Sequence, residues 1–175
     1  MGVYLNPGND GFKMALNSKI YVDKSGLISY TNSVLKTEQR FVCVSRPRRF
    51  GKSMAANMLT AYYEKDIDSS EMFQGLSISQ DEMFKKHLNK YNVIYIDLSK
   101  IPENCRTYQA YQDRISEGIR KDLLKAYAGA VEDADRSVWD ILSDVYRQTG
   151  EKFVFIMDEW DAVFHMPFIT EEERK

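Results

Sequence analysis

Three short apolar runs restrict the fold of this chain more than any other feature. They are Phe41–Ser45 (FVCVS), Asn92–Ser99 (NVIYIDLS) and Phe153–Met157 (FVFIM). Each is too short for a buried helix, is rich in β-branched or aromatic residues and is bounded by charge or turn formers, so each predicts a strand. Each is apolar at successive rather than alternate positions. That predicts burial on both faces, as in a parallel sheet covered by helices, and such sheets bind ligands at the carboxyl ends of their strands.

The intervening segments have helical spacing. Met54, Met58, Leu59 and Tyr62 share one face over Lys52–Lys65, and Tyr108, Tyr111, Ile115, Ile119, Leu123, Leu124 and Tyr127 do so over Thr107–Ala128. Val138, Ile141, Leu142, Val145 and Tyr146 predict a helix over Ser137–Thr149, with Gly150 as its C-cap. Lys19–Ile28 is expected to be extended and to lead into a helix that Ser25 caps and that ends near Leu35. Residues 1–19 carry Asn-Pro-Gly and Asn-Asp-Gly turn signals and read as irregular, and 69–89 as helix or as loop with short turns.

With 175 residues and 43% hydrophobic content, the chain has room for one domain with a substantial core. A net charge of -2 excludes a global basic field for nucleic acid. Two cysteines are too few for a disulfide scaffold, and Cys43, inside an apolar run, reads as a small buried residue. His87 and His165 are isolated from any partner with metal-ligand spacing. The N-terminus has no apolar leader core, and no apolar stretch approaches the ~20 residues of a membrane span. The expectation is a cytoplasmic protein without a membrane partner.

Chemistry is concentrated in two places. The first apolar run is followed by Arg46-Pro47-Arg48-Arg49-Phe50-Gly51-Lys52-Ser53 and then a helical stretch beginning near Met54. The Gly-Lys-Ser tail is that of a phosphate-binding loop (Walker A), although Arg46 stands where the pattern has its first glycine. Gly51 lets the backbone approach phosphate oxygens, and the first N–H groups of the following helix point at them. Lys52 reaches the β- and γ-phosphates, and the Ser53 hydroxyl suits Mg²⁺. The plain alternative, a strand–turn–helix with a surface lysine, stays open on the loop alone.

The last apolar run ends in Asp158-Glu159. A carboxylate at the end of a strand is what a Walker B motif uses to hold Mg²⁺, and the next one can polarise the water that attacks the γ-phosphate. Solvated acids at a strand end are common. The two motifs strengthen each other because one metal ion needs both. The expected ligands are ATP and Mg²⁺.

Tyr21-Val22-Asp23-Lys24, the stretch Ser45–Met54 and Asp158-Glu159-Trp160-Asp161 together resemble the predicted AAA-type ATPases of bacteria, over about Asn17–Phe164. Arg in place of the first glycine belongs to that family's loop. The resemblance implies a three-layer P-loop NTPase sheet of the ASCE/AAA-like class. It implies phosphate contacts from Arg46, Pro47, Arg48, Arg49, Phe50, Gly51, Lys52, Ser53 and Met54, Mg²⁺ at Ser53 and Asp158, and catalysis by Glu159 with Lys52. Many such proteins carry a C-terminal PD-(D/E)XK nuclease-like domain, so DNA is an expected partner of the longer protein, and oligomers are compatible with the class. The class also places a sensor strand and arginines after the acidic pair. Here the sequence reaches Glu171-Glu172-Glu173-Arg174-Lys175 in what reads as the first turn of a helix, and the expectation is a sheet incomplete at its C-terminal side.

The expected organisation is therefore a lead-in segment, 1–40, covering the adenine side, and an ATPase core, 41–175, running through the Walker B strand. Arg46, Arg48 and Arg49 suit neutralisation of a triphosphate or a solvated basic turn about equally. The tyrosines at 108, 111 and 127 are expected to pack in the core, and Trp160 to pack so as to position Glu159. Three functions compete: an ATP-hydrolysing module in the full-length protein, a nucleotide-binding module without turnover, and a degenerate interaction fragment.

Overall fold

The computed structural model describes residues 1–47, 49–102, 105–131 and 135–169. Arg48 and the acidic helix turn expected at 171–175 lie outside the described residues. The chain is a mixed α/β protein and divides into two compact units, Gly8–Val93 and Met1–Pro7 with Ile94–Lys175.

Gly8–Val93 holds α1 (Asp10–Leu16), α2 (Gly26–Val34), α3 (Lys52–Tyr63) and the single turn α4 (Phe84–His87), with 3-10 turns at Ser70–Phe73 and Ser77–Gln80. Its core is aromatic. Phe12 stacks on Phe73 with ring centroids 5.1 Å apart, and Tyr62 meets Tyr63, Phe73 and Phe84 at 4.9, 5.5 and 5.8 Å. Buried tyrosines need partners for their hydroxyls. Asn32, itself buried on α2, supplies them: its Nδ2 donates to Tyr62 Oη at 2.9 Å, and Tyr63 Oη donates to its Oδ1 at 2.9 Å. Tyr62 Oη also donates to the Phe84 carbonyl at 2.7 Å. Burial pushes the Tyr62 phenol up to about 12, so it stays a donor.

Ser25 precedes α2 as expected but does not cap it, since its hydroxyl accepts from Ile78 N instead; two larger expectations fail in this unit. Residues 1–19 are not irregular throughout, because α1 occupies Asp10–Leu16. Its first turn carries Asp10, which suits the helix dipole. Its Phe12 is fully buried, and Gly11 allows close packing on α3, since a Cβ there would lie 2.8 Å from Asn57 Cγ. Packing decides that helix, and the local turn signals do not. The second failure is the strand expected at Phe41–Ser45. These residues take part in no ladder, Phe41 is 83% exposed, and Cys43 is exposed rather than buried. An apolar run becomes a strand only when a neighbour satisfies its backbone, and none does so here among the described residues.

The second unit holds β1 (Asn92–Asp97, which begins two residues before the boundary), α5 (Tyr108–Ala126), α6 (Val138–Thr149) and β2 (Phe153–Asp158). β1 and β2 form a two-stranded parallel sheet, so of the three strands expected two are present. On the other side of β1, Tyr95 N donates to the Tyr4 carbonyl at 2.9 Å, and Leu5 bridges Ile94 in antiparallel sense. Asp122 on α5 holds that N-terminal segment, accepting from Tyr4 N at 2.7 Å and Leu5 N at 3.1 Å. The core joins Leu5, Ile94, Ile96, Ile119, Leu123, Ile141 and Val145. α6 begins at a capping Ser137, whose hydroxyl accepts from Asp140 N, and ends at Gly150 in the left-handed conformation, φ 72°. Tyr111 is buried and donates to the Leu98 carbonyl at 2.9 Å, a packing role as expected.

Candidate functional site

The loop Arg46–Phe50 is exposed in each described residue and ends in a sharp turn. Phe50 N donates to the Pro47 carbonyl at 3.4 Å, and both Arg49 (φ 68°) and Gly51 (φ 77°) are left-handed. Glycine adopts this conformation freely, whereas for Arg49 it costs about 1 kcal/mol. Gly51 is the N-cap residue of α3. No side chain caps this helix and its first turn carries no acid, so among the described residues no anionic or hydroxyl acceptor meets its leading N–H groups. The loop before that end carries Arg46 and Arg49, Lys52 is the first residue of the helix, and the Lys24 ammonium donates to the Phe50 carbonyl. The Lys52 Nζ donates to the Arg46 carbonyl at 3.2 Å, folding back along the loop. Ser53 is exposed on the first turn of α3 and Met54 is half-buried.

The acids stand at the carboxyl end of β2, in the other unit. Asp158 is 5% exposed. Its Oδ1 accepts from Glu159 N at 3.0 Å, its Oδ2 accepts from Tyr95 Oη at 3.4 Å, and its carbonyl accepts from Leu98 N at 3.0 Å. Burial, and then the charge of Asp158, push the Tyr95 phenol upward, so Tyr95 remains a protonated donor to that carboxylate. Glu159 turns the chain away from the strand in a left-handed conformation, φ 51°, and its carbonyl accepts from Ala162 N at 2.9 Å at the start of a 3-10 turn, Trp160–His165. Trp160 is 55% exposed and packs edge-on against Phe164, centroids 6.2 Å apart. It was expected to pack so as to position Glu159; its ring contact is with Phe164.

The structure thus brings Arg46, Lys52 and Gly51 together in one turn and Asp158 with Glu159 in another. Two contributors escaped the sequence reading. Tyr95 shares a strand face with Asp97 by the two-residue period, but only the register of β1 on β2 brings it to Asp158. Lys24 lies beside the phosphate loop, where its ammonium donates to the Phe50 carbonyl. The only sequence signal for it was the run Tyr21–Lys24.

The chemistry of the donors fits a nucleotide and its metal. Gly51 has a positive φ that a side chain would strain, and a Cβ there would stand 2.7 Å from Lys24 Nζ and have to displace it. The leading amides of α3 and the surrounding cations suit phosphate, and the Ser53 hydroxyl and Asp158 carboxylate are hard oxygen donors of the kind Mg²⁺ prefers. Among the described residues no three His, Cys, Asp or Glu side chains converge on a metal position, and magnesium sites in such proteins need only one or two protein ligands. No helix among the described residues is long and apolar enough to cross a membrane. In comparison with known proteins, the family model described as "Predicted AAA-ATPase" matches residues 9–174. No curated protein and no solved structure matches the chain.

Proposed function

This chain belongs to the predicted AAA-ATPase family, and from that premise we propose that it is a Mg²⁺-dependent, ATP-binding P-loop module that hydrolyses ATP to ADP and phosphate in the full-length protein and so drives a conformational change. The observation that carries the reading is the uncapped N-terminus of α3 behind a left-handed Gly51, with the ammonium groups of Lys24 and Lys52 on carbonyls of the loop before it. A helix end left without acceptors next to a glycine turn is a receptor for phosphate oxygens.

In this reading Lys52 neutralises the terminal phosphates, and the amides of Gly51–Met54 bind the oxygens before it. The arginines at 46, 48 and 49 add cationic charge to the loop. Ser53 and Asp158 are the residues that would hold Mg²⁺, which, when bound, supplies charge neutralisation at the phosphates. Tyr95 orients the Asp158 carboxylate. Glu159 accepts a proton from the attacking water as the new O–P bond forms and the bridging P–O bond to the leaving ADP breaks. The fold this reading requires is the three-layer ASCE/AAA-like sheet, with residues 1–40 as lead-in on the adenine side. DNA and an oligomeric state belong to the reading of the longer protein, and a cytoplasmic location goes with it.

Titration of a labelled ATP analogue with Mg²⁺ into wild type and Lys52→Ala tests the proposal. Loss of affinity in Lys52→Ala supports it, and equal affinity in both overturns it. Binding without release of phosphate, in the full-length protein, would leave a nucleotide-operated switch in place of an ATPase.

A further inference from the structure

Asp23, Lys24 and Ser25 form a clamp with its middle residue left over. The Asp23 carboxylate accepts three hydrogen bonds, from Ser25 N at 2.8 Å, Ser77 N at 2.7 Å and Ser77 Oγ at 2.6 Å. Ser25 is fully buried, and its Oγ accepts from Ile78 N at 3.1 Å. The backbone on both sides of Lys24 is therefore pinned to the turn at Ser77–Gln80, while the Lys24 side chain takes no part in the pinning. Instead it reaches 26 residues along the chain and donates to the Phe50 carbonyl.

That carbonyl belongs to the peptide linking Phe50 to Gly51. A trans peptide points its C=O and N–H in opposite directions. An ammonium that holds the Phe50 oxygen therefore also fixes the direction of the Gly51 N–H, away from the lysine. The contact is close: a Cβ on Gly51 would stand 2.7 Å from Lys24 Nζ and 3.2 Å from Met54 Cε. At the other end of the loop Lys52 Nζ is on the Arg46 carbonyl, so two lysines bracket the segment.

We infer that Lys24 is a positioning residue of the phosphate loop: its ammonium, aimed by the Asp23–Ser25 clamp, sets the orientation of the Phe50–Gly51 peptide, so that the Gly51 N–H is presented to an oxygen of a nucleoside triphosphate. The inference rests on the phosphate-loop reading given above and adds to it a residue that lies outside the loop. Lys24 acts through the backbone. A long donor of another shape, such as arginine, can therefore replace it, whereas an apolar chain of similar length cannot.

The test compares wild type, Lys24→Met, Lys24→Arg and Lys52→Ala in two measurements: titration of a labelled ATP analogue with Mg²⁺, and the ¹H–¹⁵N resonance of the Gly51 amide. Lys24→Met is expected to weaken the analogue about tenfold, the scale of one hydrogen bond to a charged group. It should also shift the Gly51 resonance in the nucleotide-free protein, with an unchanged melting temperature. Lys24→Arg should restore most of both. If Lys24→Met binds like wild type while Lys52→Ala does not, the role of Lys24 is overturned and the phosphate-loop reading stands. If both variants bind like wild type, both readings fall. An unmoved Gly51 resonance in Lys24→Met, or an arginine that restores nothing, overturns the positioning role even where affinity drops.

Discussion

The turn at Arg46–Gly51 and the acidic turn use the same backbone device with opposite side chains. Gly51 and Glu159 each stand in the left-handed region, at φ 77° and 51°, and each precedes a helical turn. At 51 the residue without a Cβ is present, and it takes up the positive φ without strain. At 159 a bulky acid adopts the same conformation at a cost of about 1 kcal/mol. In the proposed function the backbone is what position 51 contributes, and the side chain is what position 159 contributes. The charges differ in the same way. Asp158 is buried and fixed by a tyrosine and a main-chain amide, whereas Lys24 and Lys52 rest on carbonyl oxygens of the exposed loop.

The largest effect expected from this contrast is in turnover. Glu159→Gln keeps shape and backbone but removes the base. In the full-length protein it should lower ATP hydrolysis by about 10²–10⁴-fold while leaving binding of a labelled ATP analogue nearly intact. Asp158→Asn should instead weaken the Mg²⁺-dependent part of binding itself, read by titrating Mg²⁺ at fixed nucleotide. A Glu159→Gln protein that hydrolyses ATP at the parent rate would put the base elsewhere, with Asp161 the next to test.

The backbone half of the contrast is read by thermal melting. Gly51→Ala should destabilise by about 1–2 kcal/mol, from the positive φ, and should displace the Lys24 head as well. Glu159→Gly should do the reverse, stabilising by up to about 1 kcal/mol while abolishing hydrolysis. If Glu159→Gly melts lower than wild type, the side chain at 159 supports the fold, and the assignment of roles to the two turns fails.

How much of this was legible in the sequence depended on how local the cause was. β1 and β2 were readable because Ile94, Ile96 and Ile156 sit in runs that no helix pattern explains. The start of α6 at Ser137 and its end at Gly150 were readable because capping is decided by one residue. Phe41–Ser45 looked the same as β2 and is not a strand, since a strand depends on a neighbour that composition cannot supply. α1 was hidden by Asn9-Asp10-Gly11, where turn chemistry and helix start use the same residues, and the stacking of Phe12 on Phe73 decides between them. The loop residues of the candidate site were named in order from the Gly-Lys-Ser tail. Lys24 and Tyr95 were not, because each acts on a residue more than 25 positions away through geometry that exists only after folding.

A smaller effect separates the anchoring of the two turns by pH. Desolvation opposes ionisation of Asp23, but the Ser77 hydroxyl and amide and the Ser25 amide outweigh it and hold the carboxyl at about 2. A depressed folded-state value stabilises above the ordinary carboxylate range near 3.8, and that contribution is lost as pH falls through that range toward about 2. Because the group is near the surface, the contribution is screened to roughly 0.5 kcal/mol. Asp23→Asn should flatten the acid limb of the stability curve by that amount and should weaken nucleotide binding in the same direction as Lys24→Met.

The smallest effect concerns Tyr95, the counterpart on the acidic side of what Lys24 is to the loop. Its hydroxyl donates to Asp158 Oδ2 over 3.4 Å, near the outer limit of a useful hydrogen bond. Removing the donor in Tyr95→Phe leaves the packing of the ring unchanged, so the loss is confined to orientation of one carboxylate oxygen, at about 0.5–1 kcal/mol. That corresponds to roughly a two- to fivefold increase in the Mg²⁺ concentration needed for half-maximal binding of the ATP analogue, with little change in affinity when Mg²⁺ is saturating. Because burial, with Asp158 next, pushes the Tyr95 phenol above its ordinary value, the tyrosine stays protonated. The effect of Tyr95→Phe should therefore be the same at pH 6 and pH 9. A difference that grows with pH would mean that Tyr95 ionises and repels Asp158. The Asp158 carboxylate would then be held by Glu159 N alone.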